Sequence, residues 1–436
     1  MNTYIDLADS DIKSTEKTVM HKVAWRIIPI MAICYFFAFL DRINVGMAAL
    51  TMNESIGLSA VAYGLGASMF FVGYVLFEVP SNIAMQKVGA RIWITRIMIT
   101  WGLLSTGMAL VVGPASFYTL RFVIGAAEAG FFPGLILYFS WWFPATYRAR
   151  MTGMFVAGMP VAILLGAPVS GMLLNLHGFL GLAGWQWMFV IEGVPAAILG
   201  VVVFFHLTDR PSEAKWLSVE ERNWLVRRME SERQEGEHKD FLSIAQAFKS
   251  PKVLTLSAIA FGMNMSNYGL TLWLPQIVKS FGLTDTETGF ITAIPFLFAS
   301  ISSILWTRSS DRTGERFWHL ATAAFCAAGG LAISAYTTNS YFTMAAISVA
   351  AIGTYALVPM FWGWAPTLLA GTGAAAAMAL INSIGAISGY VAPYGIGLIR
   401  ESTGSFSLAL LGLSMGPVLA TILIFIVFRI WARNQI

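Results

Sequence analysis

An aspartate and an arginine stand side by side, Asp41-Arg42, inside an apolar run from Val23 to about Leu50. At 1.5 Å per residue such a run is long enough to cross a hydrocarbon layer of roughly 30 Å. A carboxylate and a guanidinium near the middle of a span are each costly, and a helix that only anchors a chain has no use for them. Either the two neutralise each other and pack helices, or they face a water-filled path through the bilayer. Arg121 and Glu128 form a second set, seven residues apart in another apolar run. They share one helix face about 10 Å apart along the axis, too far for a direct pair. Each therefore needs a partner elsewhere: Asp41 for Arg121 and Arg42 for Glu128, or a bound anion for the arginines. The fixed fork of arginine suits a planar carboxylate. A carboxyl in a low-dielectric site beside a guanidinium changes its proton affinity when an anion occupies that guanidinium. Asp41 and Glu128 are thus candidate proton carriers, and this chemistry fits co-transport of protons with an organic anion.

The elements that must position these residues follow from composition. The 436 residues are 57% hydrophobic and 11% charged, against about 25% charged in soluble proteins. The chain is read as an all-α, multi-pass membrane protein. Its net charge of +4 is no nucleic-acid footprint, because the basic residues flank the spans. Apolar runs separated by turn-like breaks give roughly twelve spans, centred near Ala32, Phe71, Leu103, Ala127, Ile163, Ile198, Asn267, Phe298, Cys326, Tyr355, Ser388 and Val418. One long polar segment interrupts them, so the expected organisation is a six-helix bundle over 1–207, a central segment over 208–251 and a second six-helix bundle over 252–436. The stretch Trp216 to Met229 has apolar residues at helical spacing and reads as an amphipathic helix along the membrane surface. Lys and Arg cluster before the first span, in alternate loops, in the central segment and at Arg429 and Arg433, which places both termini in the cytoplasm. The acidic first twenty residues lack the order of a signal peptide, so the first span is expected to be retained.

Few other ionisable side chains fall within spans: Glu78 and Glu192 complete the set, and all six lie in the first half. The second half offers amides and aromatics instead, among them Asn264, Asn267, Tyr268, Tyr355, Trp362 and Asn382. Charge recognition and protonation are therefore expected in the first half, with shape and hydrogen bonding from the second. Glu78, near the cytoplasmic end of its span, reads as a cap on a gate beside the following loop. Glu192, beside Gly193 and Pro195, reads as structural. Tyr74 shares a helix face with Glu78 and is either a substrate contact or packing. Asn264 and Asn267 suit either substrate or interhelical hydrogen bonds. Asn382 is a stronger candidate, since Gly385, Gly389 and Pro393 follow it and allow close approach and a bend. Two features recur at an offset of 225 residues, Gly89 with Gly314 and Pro168 with Pro393, which supports two halves built on one plan. No nucleophile with its base, phosphate loop, metal cluster or cofactor motif is found, and Cys34 and Cys326 lack ligand spacing, so neither an enzyme nor a nucleotide-driven pump is expected.

Over nearly its whole length the chain resembles the major facilitator superfamily, and within it the anion:cation symporter family. The loop motif is Asp311-Arg312-Thr313-Gly314-Glu315-Arg316; its first copy, Gln86-Lys87-Val88-Gly89-Ala90-Arg91, has Gln where the family often has Asp. More specific marks are Phe39-Leu40-Asp41-Arg42-Ile43-Asn44, Glu78-Val79-Pro80-Ser81-Asn82, Arg121-Phe122 with Gly125-Ala126-Ala127-Glu128, and Asn382-Ser383-Ile384-Gly385. The resemblance implies a bacterial inner-membrane permease, monomeric and without cofactor or metal, taking up a small organic anion with protons by rocking of two bundles. It implies proton coupling by Asp41 and Glu128, substrate binding by Arg42 with support from Arg121, and substrate contacts at Tyr74 and Asn382. Gating and structural roles fall to Glu78, Asp311, Arg312, Gly314 and Arg316. Relatives carry sugar acids, hydroxy acids and aromatic acids; the vesicular glutamate branch has an arginine in the seventh span, where this chain has Asn264 and Asn267. Gly158, Gly166, Ala167-Pro168 and Gly171 partly match a motif of antiporters, so a carboxylate exporter is the alternative, followed by a non-transporting nutrient sensor.

Overall fold

The computed structural model describes residues 2–156, 158–237, 249–369 and 374–432, and among these the regular structure is entirely helical. The first half contains α1 (Asn2–Ser55), α2 (Ala60–Val88), α3 (Ala90–Gly107), α4 (Pro114–Glu128), α5 (Phe131–Trp142), α6 (Ala145–Val156), α7 (Gly158–Leu173) and α8 (Gly184–His206). After α9 (Val219–Glu237) come α10 (Pro251–Lys279), α11 (Asp285–Thr313), α12 (Phe317–Tyr336), α13 (Ser340–Leu368), α14 (Ala374–Thr403) and α15 (Ser407–Val427). Helices α4 and α5 make one broken span, and α6 and α7 both belong to the stretch Ala145–Leu176, so every expected span centre falls within a helix. The fold is the two-bundle, twelve-span arrangement. Nine helical stretches among the described residues are long and apolar enough to cross a membrane by themselves. Helices α3, α10 and α14 are not among them: α3 begins with Arg91 and Arg96, and α10 buries Ser257, Asn264, Ser266, Asn267 and Thr271 against neighbours.

The break in the fourth span positions its charge. Ala129 leaves helical geometry (ψ 133°) and Gly130 takes a left-handed conformation (φ +83°), so α4 ends on Glu128 itself. Only a residue without Cβ adopts that φ at no steric cost.

The bundles meet along α1 with α10, α2 with α14, and α7 with α11. At the end away from the chain termini they are closed. Tyr63 Oη donates to Leu272 O (2.8 Å), Ser68 Oγ to Tyr390 O (2.8 Å), Val61 N to Glu401 Oε2 (2.7 Å) and Asn175 Nδ2 to Thr286 Oγ1 (2.7 Å). Between α7 and α11 the backbones touch through a glycine pair: a Cβ on Gly171 would lie 2.8 Å from Asp285 O and 3.1 Å from Gly289 Cα. Toward the termini, one bond between the halves stands out, from Asn382 Nδ2 to Glu78 Oε1 at 2.7 Å.

The central helix differs in its limits from the sequence reading. It begins at Val219, with Trp216 and Leu217 preceding it, and runs to Glu237. It is fastened to the first bundle: Leu225 is fully buried, Trp216 stacks on Trp142 (centroids 5.6 Å apart), Lys22 pairs with Glu221 at 2.5 Å, and Arg148 with Glu232 at 3.6 Å. Residues 238–248 of the central segment, and Arg433, lie outside the described residues. The repeated loop motif has matching geometry, since α2 ends on Gly89 (φ +97°) and α11 on Gly314 (φ +71°). Arg316 pairs with Asp311 at 3.1 Å, whereas in the first copy Asp209 accepts from the Arg91 amide at 2.8 Å. An aspartate from beyond α8 thus faces the loop whose own acidic position is Gln86. Arg312 is exposed at the loop.

Candidate functional site

Between the bundles lies a cavity of about 80 Å³, lined from the first half by Arg42, Tyr74 and Glu128 and from the second by Asn264, Asn267 and Asn382. Its ionic centre is the contact of Arg42 Nη2 with Glu128 Oε1 at 2.5 Å, joining α1 to the end of α4. Three aromatic faces surround the guanidinium: Phe39 at 4.9 Å, Phe70 at 5.4 Å and Tyr74 at 5.8 Å from ring centroid to Cζ. Arg42 Nε and Glu128 Oε2 remain buried without hydrogen-bond partners among the described residues. The pair therefore spends only part of its bonding capacity on itself.

Arg121 is 1% exposed and has no ion pair within 4 Å among the described residues, its Nε again without a partner. Its guanidinium lies 4.8 Å from the centroid of Phe70, a ring that Arg42 also approaches. A smaller recess lined by Arg42, Arg121, Asn267, Tyr268 and Thr271 links the two arginines. Burying an uncompensated cation is expensive, and a recess holding unspent guanidinium donors has the character of an anion site.

The pairing of Asp41 with Arg121 is corrected by the structure. Asp41 points into the first bundle, where it accepts hydrogen bonds from Trp101 Nε1 at 2.9 Å, from Asn44 Nδ2 at 3.2 Å and from Ser105 Oγ. It acts on Arg121 only through space, and it is not part of the cavity wall. Adjacent positions on a helix differ by about 100° in direction, so Asp41 and Arg42 face different neighbours. Glu78 also departs from expectation: its carboxylate reaches across the halves to Asn382 rather than to the loop, and only its backbone carbonyl serves the local turn, accepting from Asn82 Nδ2 at 2.9 Å. Asn382 is consequently both a wall residue and a bridge. Asn267 Nδ2 rests 3.9 Å from Met159 Sδ across the halves. Asp311, Arg312, Gly314 and Arg316 lie at the far end of α11, away from the cavity.

Three aromatic wall residues that carry a polar group were not chosen as site residues in the sequence: Tyr35, Tyr268 and Trp362. Tyr268 stands four positions from Asn264 on α10, so the helical spacing that joins Asn264 and Asn267 to one face was the available signal. No group of three or more His, Cys, Asp or Glu side chains suited to a metal occurs among the described residues.

Residues 31–393 match the family model described as the Major Facilitator Superfamily. An Agrobacterium vitis protein named "Putative tartrate transporter" is 52% identical over 392 residues, covering 90% of this chain and 87% of its own. A protein of Acinetobacter baumannii named "Quinolone resistance transporter" is 41% identical over 421 residues, covering 96% and 97%. "Inner membrane transport protein RhmT" of Escherichia coli K12 is 41% identical over 414 residues, covering 93% and 94%. Among solved structures, a bacterial homologue of the human lysosomal transporter Spinster, inward-facing and unoccupied, superposes with a TM-score of 0.75 at 17% identity over 94% of this chain and 98% of its own. The partially occluded, inward-open xylose transporter XylE of E. coli gives 0.71 at 13% identity over 92% and 98%. At those identities the structural likeness is one of fold.

Proposed function

The chain belongs to the major facilitator superfamily, a transporter and not an enzyme, and on that footing we propose that it takes up a small organic carboxylate by proton symport. The observation that carries the proposal is the Arg42–Glu128 pair in the cavity wall. A substrate carboxylate and the Glu128 carboxylate compete for one guanidinium, so a proton on Glu128 frees Arg42 for the anion. Arg121, close to the same Phe70 ring, supplies a second, unspent cation. Tyr74, Asn264, Asn267 and Asn382 offer hydrogen bonds to hydroxyl or carbonyl groups of the substrate, and Asp41 is the second proton carrier. The halves 1–207 and 252–436 rock about the cavity, with Glu78, Asp311, Arg312, Gly314 and Arg316 in gating and structural roles. Of the classes considered, sugar acids, hydroxy acids and aromatic acids, the relatives named for tartrate favour a hydroxy acid. The protein is proposed as an inner-membrane monomer, and the placement of Lys and Arg supports an orientation with both termini cytoplasmic.

The test is proton flux into liposomes holding the purified protein, with carboxylates added singly and L-tartrate first. Alkalinisation outside on adding tartrate, abolished by Arg42→Lys, is the expected result. Silence across sugar, hydroxy and aromatic acids refutes the symport reading. An exporter or antiporter is the second reading, favoured by the relative named for quinolone resistance and by the glycine contact of α7 with α11. It predicts the opposite sign, acidification outside under an opposing gradient.

A further inference from the structure

A second buried carboxyl lies in the first bundle, away from the cavity. Glu192 on α8 is 5% exposed. Its Oε1 accepts from Ser170 Oγ of α7 at 2.7 Å, while its Oε2 is buried with no hydrogen-bond partner among the described residues. Asn44 of α1 stands between Glu192 and Asp41: it donates to Asp41 at 3.2 Å and interacts with the Glu192 carboxyl. The Asn44 Oδ1 is itself buried and unpartnered. The site thus holds a surplus of acceptors and a shortage of donors.

The charged groups around Glu192 are few. Helix α1 contributes Asp41, its neighbour Arg42 being engaged with Glu128. Helix α7 contains no ionisable residue, α3 has Arg91 and Arg96 near its other end, and α8 otherwise has only His206 at its terminus. No cation lies within 4 Å of Glu192 among the described residues. Two carboxylates in one desolvated site cannot both be ionised at reasonable cost, and hydrogen-bond donors decide which of them is. Asp41 takes three donors, Trp101, Ser105 and Asn44. Glu192 takes one firm donor and leaves an oxygen bare.

We infer that Asp41 and Glu192 form a coupled carboxyl pair, bridged by Asn44, that binds one proton in common, with the proton on Glu192 in the state described here. Glu192 is then a further proton-coupling residue. The inference rests on the proton-symport reading of the cavity, and it moves one proton site into the interior of the first bundle. Counting along the helices, Glu192 lies about 12 Å from the start of α8 and Asp41 about 21 Å from the end of α1. With that proton in place the pair carries a single negative charge; a second proton gained from solvent neutralises it, and release of the second restores the single charge.

The deciding experiment is infrared difference spectroscopy of the whole purified protein on pH change, which needs no substrate. A protonated-carboxyl carbonyl band is expected, lost in Glu192→Gln and shifted in Ser170→Ala, which leaves the carboxyl in place. In liposomes Glu192→Gln should slow proton-driven tartrate uptake at least tenfold while the equilibrium Kd for tartrate stays within twofold. A band unchanged in both variants overturns the pair. Equal loss of binding and uptake also overturns it, since that is what a packing role predicts. If wild-type protein moves no protons with tartrate, the symport reading fails by itself and the infrared result still decides on Glu192.

Discussion

Replacing Glu128 by glutamine tests the competition for Arg42 directly. The side chain keeps its size and its Oε1 can still accept from Arg42 Nη2, so the 2.5 Å contact changes from an ion pair to a neutral hydrogen bond. A tartrate carboxylate seated on Arg42 would lie about 5 Å from position 128. At an effective dielectric constant of about 20, the repulsion between two carboxylates at that distance is ~3 kcal/mol, an upper figure for a site with some solvent. Removing it should tighten tartrate binding by about 10- to 100-fold at pH values where Glu128 is ionised. The pH dependence follows the same sign. On the proposed coupling, wild-type binding should strengthen as pH falls, because a proton on Glu128 would release Arg42; in Glu128→Gln that slope should flatten. Titration calorimetry at several pH values measures both, and proton-driven accumulation in liposomes should be lost in the same variant. Wild-type Kd and wild-type pH slope in Glu128→Gln would refute the competition, and with it the main argument for coupling at this site.

Arg121→Met removes a buried cation without an ion pair, so it should stabilise the protein by about 1–4 kcal/mol while abolishing tartrate binding; a lower melting temperature would show Arg121 to be structural. Gly171→Leu places a side chain where even a Cβ comes within 2.8 Å of Asp285 O. It should prise open the end away from the termini and raise maleimide labelling of a cysteine at Thr286; unchanged labelling would mean the seam absorbs the bulk. Glu78→Ala deletes the charged acceptor of Asn382, a bond of about 1.5–3 kcal/mol. Spin labels on α2 and α14 near the termini should then move apart, with Glu78→Gln close to wild type; equal distances in all three proteins would remove Glu78 from the gate.

The spans were legible because apolar runs of bilayer length have few other uses, and even α10 and α14, whose amides and serines dilute them, were bounded by turn residues. The break at Ala129–Gly130 was not legible, since glycine is frequent in spans for several reasons and the sequence does not say which one applies. The Arg42–Glu128 pair followed from a seven-residue spacing that denied Arg121 and Glu128 to each other. The surroundings of Asp41 did not, because Trp101 and Ser105 reach it only through the register of α3 against α1, a tertiary fact with no local signature. Glu78 and Asn382 are 304 residues apart; Glu78 alone reads as a cap on its own helix end and Asn382 as a substrate contact, and neither points to the other. Tyr268 was visible as an aromatic among others, and only its face relative to Asn264 distinguishes it.

If the protein is the proton symporter proposed above, the confinement of span-interior charge to the first bundle bears on how strictly anion and proton are tied. With the cavity empty, Arg42 and Glu128 neutralise each other, and the bundles can close over the pair without exposing a net charge to a low dielectric. With anion and proton both bound, Arg42 faces the substrate carboxylate and Glu128 is neutral, so closure is again balanced. A proton alone leaves Arg42 without a counter-ion, and the second half has no acidic side chain deep in a span to answer it. Breaking a buried pair in that way costs about 3–5 kcal/mol, so on that coupling proton leak without substrate should run at roughly one cycle in 10² to 10⁴ coupled ones. Pyranine-loaded liposomes under a pH gradient, with and without tartrate, measure the ratio. A substrate-free leak comparable to the coupled flux would mean that Arg42 finds another counter-ion during closure, and that strict coupling is not a product of this pair.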